Sequence, residues 1–510
     1  MESRARRAPW MALVGAVLLG GCQRGVPRPP RPRLVVLYTT CSLNRGFLEP
    51  YGSKRPTPAF ARFAADGLVF DRHQTEAGQS SIGFASIFSG AQAWRHGAYY
   101  NPTVLGDDLT LIGEAFAADG WETCYWSSHN MCGPRLNYSQ GVAPEHVFRR
   151  HKADLAGQTA NDADFDALLA GLQADPARRA FVQVNFTFTH HPYASYLPAA
   201  ERPRLIAAIA ESLGTSRARV RTLLELYEQN RLELEWDYPA TVARLGLDRD
   251  AERELARVVE ASYANAVAEL DTWFGRFLER IDAHGLTAQS LIAVTSDHGE
   301  VLDRPNALYH WTHGLQLAPE VTCVPLLLRG PGVRVGRYAG VSRSIDVFPT
   351  LAGLAGVSLD GLAHTWEGVD LAAAVRGEEP PPELRAFSHT AIVSEAQHAN
   401  QPSFALRDRF FPDSDPASMW TAMRDGDRYY RLRKTEGTSW ALQVFDLAAD
   451  PGLERDLYDP SDPAHVDAEH RLSSYRARLI EGYLTRGADA APQLPVDEQV
   501  DRLRELGYVR

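Results

Sequence analysis

The sequence predicts an α/β protein in which a mostly parallel sheet is covered by helices on both faces. Short apolar runs rich in β-branched residues alternate along the chain with segments of helical periodicity. Polar residues able to bind a metal or a substrate follow directly after several of these runs, where ligands bind in open α/β sheets. The length of 510 residues suits one large α/β unit and a smaller one.

The predicted strands are short and apolar: Leu34–Thr39, Glu122–Trp126, Phe181–Phe188, Ser290–Thr295 and Val324–Arg329. Helical periodicity predicts intervening helices that include Pro58–Ala65, Ser81–Phe88 and Leu109–Ala118. Residues 199–283 predict nearly continuous helix, because the segment is rich in Ala, Leu, Glu and Arg. We interpret its first part, about 199–247, as a helical insertion that either covers the site as a lid or only pads the fold.

The composition changes near residue 376. The stretch EEPPPELR predicts a linker, and the runs DRYYRLRK and WALQVFDL predict a small antiparallel sheet. A final helix is expected over Arg471–Thr485. The sequence therefore predicts a main domain over 34–375 and a C-terminal subdomain over 376–510.

Residues 1–22 predict an export signal, with basic residues, a short apolar stretch and the ending Leu-Gly-Gly-Cys. The ending resembles a bacterial lipobox, which would make Cys22 the lipidated first residue of the mature chain. An ordinary cleaved signal peptide is the alternative. Residues 23–33 form a Pro/Arg linker. We expect an envelope lipoprotein that is tethered to the membrane on the periplasmic side.

The formal net charge of −11 and the lack of a Lys/Arg block argue against a nucleic-acid partner. Export places the later cysteines, which are Cys41, Cys124, Cys132 and Cys323, in an oxidising compartment. Cys124 and Cys132 are eight positions apart and could pair. Four cysteines allow three pairings, and the sequence does not choose among them.

The strongest local signal is LIAVTSDHGE, residues 291–300, where Asp297 and His298 follow a strand. Carboxylate and imidazole are good ligands for zinc and similar divalent ions. Gly299 allows a tight turn beside such an ion. An Asp-His-Gly tripeptide alone also occurs in surface turns, so the prediction of a metal site depends on the strand that precedes it.

Further motifs extend this signal along the chain: PYGSKRPTPAFARFAADGLVF, ASIFSGAQAWRHG, FTHHPY, YHWTHG, VPLLLRGPG, SRSIDVFPTLAGLAG and LRELGYVR. With TSDHGE they resemble the sulfatase-like branch of the alkaline phosphatase superfamily, over residues 34–510 with an interruption at the helical insertion. The run LYHWTHGLQLAPEVTCVP also resembles bacterial phosphoethanolamine transferases. The resemblance implies hydrolysis or transfer of phosphate, phosphonate or sulfate esters of a small molecule, glycan or lipid headgroup, at one or two divalent metal ions.

The resemblance places the nucleophile on Ser80, at a helix start where a metal would lower the hydroxyl pKa. Serines at a helix start also act as plain helix caps. If the alignment is shifted by one residue, the nucleophile position falls on Ser81 instead. True sulfatases convert a Cys or Ser to formylglycine within a Cys/Ser-x-Pro-x-Arg-like motif. From Ser80 this chain reads SSIGF, with Ile82 in place of the Pro and Phe84 in place of the Arg. These departures argue against the modification and favour an unmodified Ser80.

His190 and His313 match two histidines of the family that contact the substrate or the leaving group. Paired imidazoles can neutralise a transferring group or protonate a departing oxygen. A lone histidine is more often structural, but these two stand at positions that match. His191 and His310 have weaker claims. Glu300 is expected behind the metal ligands, and Asp346 is expected to be structural.

The family's first-strand acidic metal ligand falls on Cys41. Three interpretations stay open at this point: a thiolate that binds zinc with Asp297, His298 and Ser80, an inert residue in a degenerate site, or a disulfide partner. The first makes zinc the expected ion, with manganese or calcium as alternatives. The second makes the protein a catalytically inactive relative that binds an anionic ligand or partner in the old cleft.

Overall fold

In the computed structural model the described residues are 30–149, 160–191, 193, 201–302, 310–400, 404, 408–409, 415–435, 439–486 and 493–505. The expected signal segment and Cys22 lie outside the described residues, as does most of the closing LRELGYVR. Within the described part, no helix is long and apolar enough to cross a membrane.

The main sheet has the strand order β4-β3-β5-β1-β6-β7-β2-β8. Every neighbouring pair is parallel except those that involve β7, which runs antiparallel to both β6 and β2. The predicted mostly parallel sheet is thereby confirmed. The strands are β1 Leu34–Thr40, β2 Leu68–Gln74, β3 Glu122–Ser127, β4 Val147–Arg149, β5 Ala180–Phe186, β6 Ser290–Ser296, β7 Leu326–Arg329 and β8 Gly336–Arg343.

Helices connect and cover these strands. They are α1 Pro58–Ala65, α2 Ser80–Ser89, α3 Ala93–His96, α4 Ile112–Ala118, α5 Ala160–Ala174, α6 Arg202–Leu213, α7 Arg217–Gln229, α8 Arg231–Trp236, α9 Tyr238–Leu245, α10 Arg249–Ala283, α11 Pro319–Thr322, α12 Val347–Ala355, α13 Ala372–Arg376 and α14 Glu395–Asn400. The segment expected as nearly continuous helix is divided into α6–α10. Gly214 and Gly246 end two of these helices in left-handed conformations, which glycine adopts without a steric penalty.

A second, antiparallel sheet of order β12-β11-β10-β9 lies in the C-terminal part, as predicted. Its strands are β9 Ala386–His389, β10 Thr421–Asp425, β11 Arg428–Lys434 and β12 Trp440–Asp446. The closing helix, α15, spans Pro463–Arg486, and a further helix, α16, follows at Val496–Glu505. The domain boundaries given above stay a prediction.

Both faces of β1 are buried, as expected for a central parallel strand. Val35 and Leu37 belong to one apolar cluster, whereas Leu34, Val36 and Tyr38 belong to another. Strand β6 pairs directly with β1, and its last residue, Ser296, lies beside Thr40. The residues that follow these two strands, Cys41 and Asp297, therefore emerge side by side at the carboxyl edge of the sheet.

Candidate active site

The chain leaves β1 through Cys41 and then turns sharply at Ser42, whose φ of 60° is left-handed. Such a conformation is uncommon for a residue other than glycine and is concentrated at functional sites. The turn points the Ser42 amide towards the neighbouring strand, where it donates to Asp297 Oδ1 at 3.1 Å. The Cys41 side chain is fully buried at the base of this turn.

Helix α2 begins at Ser80, with Gln79 as its cap residue and no side-chain cap. Ser80 therefore does not act as a plain helix cap, and its hydroxyl contacts His298 and Cys41 instead. Gly83, one turn further, lies against the backbone of Asp297, where any Cβ would stand 2.4 Å from the Asp297 carbonyl oxygen. Glycine at this position thus lets the serine helix pack directly on the loop that carries Asp297.

Four ligand-type atoms converge at this point. Ser80 Oγ lies 3.2 Å from His298 Nε2 and 3.4 Å from Cys41 Sγ. Asp297 Oδ2 lies 3.4 Å from the same imidazole nitrogen, and Cys41 Sγ lies 3.9 Å from it. All four residues are fully buried. The structure thus brings together the four residues that the sequence predicts as metal ligands.

These distances suit a tetrahedral ion. Zinc holds sulfur at about 2.3 Å and nitrogen or oxygen at about 2.0–2.1 Å, so its tetrahedral ligands stand roughly 3.4–3.6 Å apart. Asp297 Oδ2 is a buried carboxylate oxygen that has no hydrogen-bond donor among the described residues, and such a group is costly unless a cation satisfies it. The orphaned oxygen and the mixed oxygen, nitrogen and sulfur set both fit a divalent metal.

His298 is prepared for a ligand role. Its Nδ1 lies 2.9 Å from the Gly299 carbonyl, so this nitrogen carries the proton and the Nε2 lone pair faces Ser80 and Cys41. Burial lowers the pKa of His298 to about 4, which keeps the imidazole neutral. Burial also raises the pKa of the Cys41 thiol, and the charge of Asp297 raises it further. The thiol thus stays protonated unless a cation replaces the proton.

A cluster of histidines adjoins the four ligand-type residues. The His313 ring lies 4.1 Å from the His298 ring and 5.3 Å from the His190 ring, measured between centroids. His191 lies 4.1 Å from His190 and 5.5 Å from His313. The predicted pair, His190 and His313, is therefore brought to the site, and His191 joins it.

Glu300 contacts His313 rather than a residue of the predicted metal set, with Oε1 3.1 Å from Nδ1. Burial raises the pKa of Glu300 to about 8 and lowers that of His313 to about 3. Both shifts favour the uncharged forms, so at neutral pH the proton of this pair resides on the carboxyl group. His191, Glu300 and His313 also form a second group with metal-ligand spacing.

Asn101 is a site residue that the sequence interpretation missed. Its Oδ1 accepts from the Ser81 amide at 2.9 Å, and its Nδ2 is a buried donor that no group in the described part of the chain accepts from. The amide group therefore stands within a few ångströms of the start of α2. No local motif marks this residue, because it reaches the site from a loop well beyond the helix.

The remaining candidates lie elsewhere. Ser81 Oγ donates to the Met131 carbonyl at 3.0 Å and takes no part in the ligand set. His310 packs on the ring of Tyr238 at 4.3 Å. Asp346 binds Arg343 at 2.6 Å and has the structural role expected of it.

The described cysteines Cys41, Cys124, Cys132 and Cys323 are free thiols, so the pairings considered above do not form.

The mostly parallel sheet, with a serine, a thiol, a carboxylate and an imidazole at its carboxyl edge, places the protein in the alkaline-phosphatase-like class of α/β folds. The chain belongs to the sulfatase family, whose family model matches residues 33–357.

The chain is similar to several known proteins. Mouse steryl-sulfatase is 29% identical over 249 residues, which is 44% of this chain and 38% of that protein. A protein solved with its substrate D-glucosamine-2-N,6-O-disulfate superposes with a TM-score of 0.64 at 16% identity, covering 89% of this chain and 99% of the other. The phosphonate monoester hydrolase of Agrobacterium radiobacter superposes with a TM-score of 0.60 at 19% identity, covering 88% of this chain and 96% of the other. The alignments cover 38%, 66% and 42% of the lengths of the first three curated relatives.

Proposed function

We propose that the protein is a metal-dependent hydrolase or transferase that acts on phosphate or phosphonate esters through Ser80. The observation that carries the proposal is the convergence of Ser80, Cys41, Asp297 and His298. Their four contacts of 3.2 to 3.9 Å fit the ligand spacing of a tetrahedral ion. We assign the ion to zinc, because zinc accepts sulfur, nitrogen and oxygen in one set. When bound, the ion would lower the pKa of the Ser80 hydroxyl and neutralise charge on the ester.

The residues of the chain divide the chemistry between them. Ser80 gives up its hydroxyl proton to solvent and its Oγ attacks phosphorus, while the bond to the ester alcohol breaks on the opposite side. Water later cleaves the phosphoserine, which releases phosphate and restores the serine hydroxyl. Asn101 Nδ2 is an available donor for an oxygen of the transferring group. The His313 ring adjoins that of His298, and the His190 ring adjoins that of His313. Both imidazoles orient the departing alcohol oxygen, and His313 protonates that oxygen while it takes the proton of Glu300 in exchange.

Phosphoryl rather than sulfuryl transfer follows from the residues after Ser80. Phe84 stands where the sulfatase motif has an arginine, and its ring packs against Phe88 at 5.5 Å and His129 at 5.0 Å. This buried phenyl ring offers no charge to steady a formylglycine or a sulfate group. An unmodified serine suits a covalent phosphoserine better than a sulfate ester cycle.

Metal analysis tests the proposal. Protein purified without residues 1–22 is expected to carry stoichiometric zinc, and Asp297→Asn is expected to lower zinc affinity by roughly 100-fold or more, because it removes a charged ligand. Elemental analysis after dialysis against limiting zinc measures the difference. His310→Ala is the control, since this histidine packs on Tyr238 outside the ligand set, and it should retain the metal.

Wild-type protein that holds no divalent ion would contradict the enzyme proposal. That result would favour the inactive, ligand-binding relative, in which Cys41 marks a decayed site. In that case the cleft is expected to bind phenyl phosphate without hydrolysing it.

We further propose that a lipid on Cys22 tethers the protein with the site facing away from the membrane. Arg33 precedes β1 and binds Gln289 at 3.0 Å, at the amino edge of the sheet. The catalytic edge, at Cys41, is at the other end of the same strand. The tether would thus attach at the end of β1 that lies opposite the candidate site.

Fractionation of cells tests the tether. Wild-type protein is expected in the membrane fraction and labelled by a fatty-acid analogue, whereas Cys22→Ser is expected to lose the label and leave the membrane fraction. A label that persists in Cys22→Ser would contradict the assignment. Cys323→Ser is the matched control, since Cys323 is a buried free thiol.

A further inference from the structure

Helix α8 carries a buried ion pair towards the candidate active site. Nη1 of Arg231 binds both carboxylate oxygens of Glu235, at 2.8 and 2.9 Å. Arg231 is 8% exposed and Glu235 is 1% exposed. Burying two charges is costly, and well-packed apolar residues of similar volume are often as stable or more so. A helix that only padded the fold would have no need of this pair.

The pair is connected to the histidine cluster. Glu235 Oε1 lies 3.9 Å from His191 Nδ1, and the His191 ring adjoins those of His190 and His313. The positive charge of Arg231 is therefore held next to the cluster, in contact with it through Glu235.

Electrostatics agree with this placement. The charge of Arg231 acts on two residues at the site: it partly offsets the burial that raises the pKa of Glu300, and it adds to the burial that lowers the pKa of His313. The desolvated surroundings make such a charge more effective towards an anion than it would be at the surface.

Aromatic contacts fix the helical segment over the site. Tyr227 of α7 and Tyr238 of α9 pack on Trp311, with ring centroids 5.5 and 5.6 Å apart. Trp311 has a left-handed φ of 53° and is nearly fully buried. The segment from α7 to α9 is thus attached to the loop that carries His313, so the position of Arg231 relative to the cluster is defined.

We propose that Arg231 is a specificity residue that binds a second anionic group of the ester, carried on the alcohol portion and lying beyond the departing oxygen. The inference rests on the proposed function. Ser80 contacts His298, whose ring adjoins that of His313. His191 adjoins His313 and contacts Glu235, which binds Arg231. We therefore assign a substrate group bound by Arg231 to the leaving side, beyond the histidine cluster. Glu235 positions the guanidinium group and is its counterion until the substrate anion arrives. Carboxylate, sulfate and phosphate share the geometry that arginine recognises.

Two matched substrates test the inference: phenyl phosphate and 3-carboxyphenyl phosphate. The wild-type protein is expected to prefer the carboxylated ester in kcat/KM by roughly 10- to 100-fold, the range of a charge-assisted contact. Arg231→Gln is expected to abolish the preference, mostly through KM, and to leave turnover of phenyl phosphate within a few-fold. The double variant Arg231→Gln with Glu235→Gln avoids an unpaired buried carboxylate, and it should lose the preference while remaining folded.

Arg219→Gln is the control variant, because Arg219 pairs with Glu254 at 2.6 Å in an exposed position of the same segment. It should keep the preference of the wild type. Equal losses on both esters in the Arg231 variants would assign Arg231 a purely structural role and overturn the inference.

Equilibrium binding to Ser80→Ala separates this inference from the proposed function. Tighter binding of the carboxylated ester, lost on Arg231→Gln, supports the subsite even if no variant turns over either substrate. Identical binding of the two esters, with turnover by the wild-type protein intact, overturns the subsite and leaves the proposed function standing.

Discussion

Ser80→Ala is expected to lower turnover of a phosphate or phosphonate ester by about three orders of magnitude or more. The substitution removes the only hydroxyl that contacts both His298 and Cys41 among the described residues, and loss of a nucleophile is among the most damaging changes to an enzyme. The fold should be retained, because alanine favours helix and the site is enclosed by residues that do not change. Initial rates on 4-nitrophenyl phosphate and 4-nitrophenyl phenylphosphonate, with thermal unfolding alongside, measure the effect.

Ser81→Ala provides the matched control one position away. The Ser81 hydroxyl donates to the Met131 carbonyl, so its removal costs about 1 kcal/mol of stability and leaves an unpaired carbonyl. Turnover should stay within a few-fold of the wild type. If Ser81→Ala were inactive and Ser80→Ala active, the register of the nucleophile would be wrong by one residue.

Detection of a phosphoserine distinguishes loss of the nucleophile from an indirect loss of activity. Incubation with substrate and rapid acid quench should leave phosphate on the wild-type protein at Ser80, which mass spectrometry of peptides detects. Activity that survives Ser80→Ala would contradict the nucleophile assignment and would direct attention to Cys41.

The apolar strands were predictable because burial on both faces gives unbroken apolar runs. β1 and β6 begin as predicted and extend one residue further. β2 was missed, because its sequence LVFDRHQ is polar in its second half, where Asp71 and Arg72 lie partly exposed. β8 was missed for a similar reason, since Gly336, Arg337 and Gly340 weaken its strand pattern.

The candidate site was predictable where function is encoded locally. Asp297 and His298 are adjacent in sequence, and Cys41 ends a recognisable strand, so topology alone brings them together. The contributions of Asn101, Arg231 and Glu235 depend on how a loop and a helical segment fold back on the sheet. No sequence spacing expresses that relation, which is why these residues could be found only in three dimensions.

Cys41→Ala is expected to lower zinc affinity by roughly 100-fold or more, since it removes the sulfur from the four-atom set. Cys41→Asp is expected to keep a divalent site but to shift its preference from zinc towards manganese and calcium, which prefer oxygen ligands. Competition dialysis against equal concentrations of the three ions, followed by elemental analysis, measures the shift. Cobalt substitution gives a readout independent of activity, because a thiolate ligand adds a sulfur-to-cobalt charge-transfer band that both variants should lose.

The two variants together decide what the thiol is for. Burial and the charge of Asp297 both raise the pKa of Cys41, so an unligated thiol is inert and protonated, whereas zinc binding converts it to a thiolate. Cys323→Ala, a buried thiol 3.5 Å from Arg424 Nη1, should leave metal content unchanged. If the wild type bound no zinc and Cys41→Asp gained both metal and turnover, the thiol would mark a decayed site. If zinc and the charge-transfer band disappear with the sulfur, Cys41 is a ligand, and the sheet edge is a zinc centre in which a cysteine takes the place of an acid.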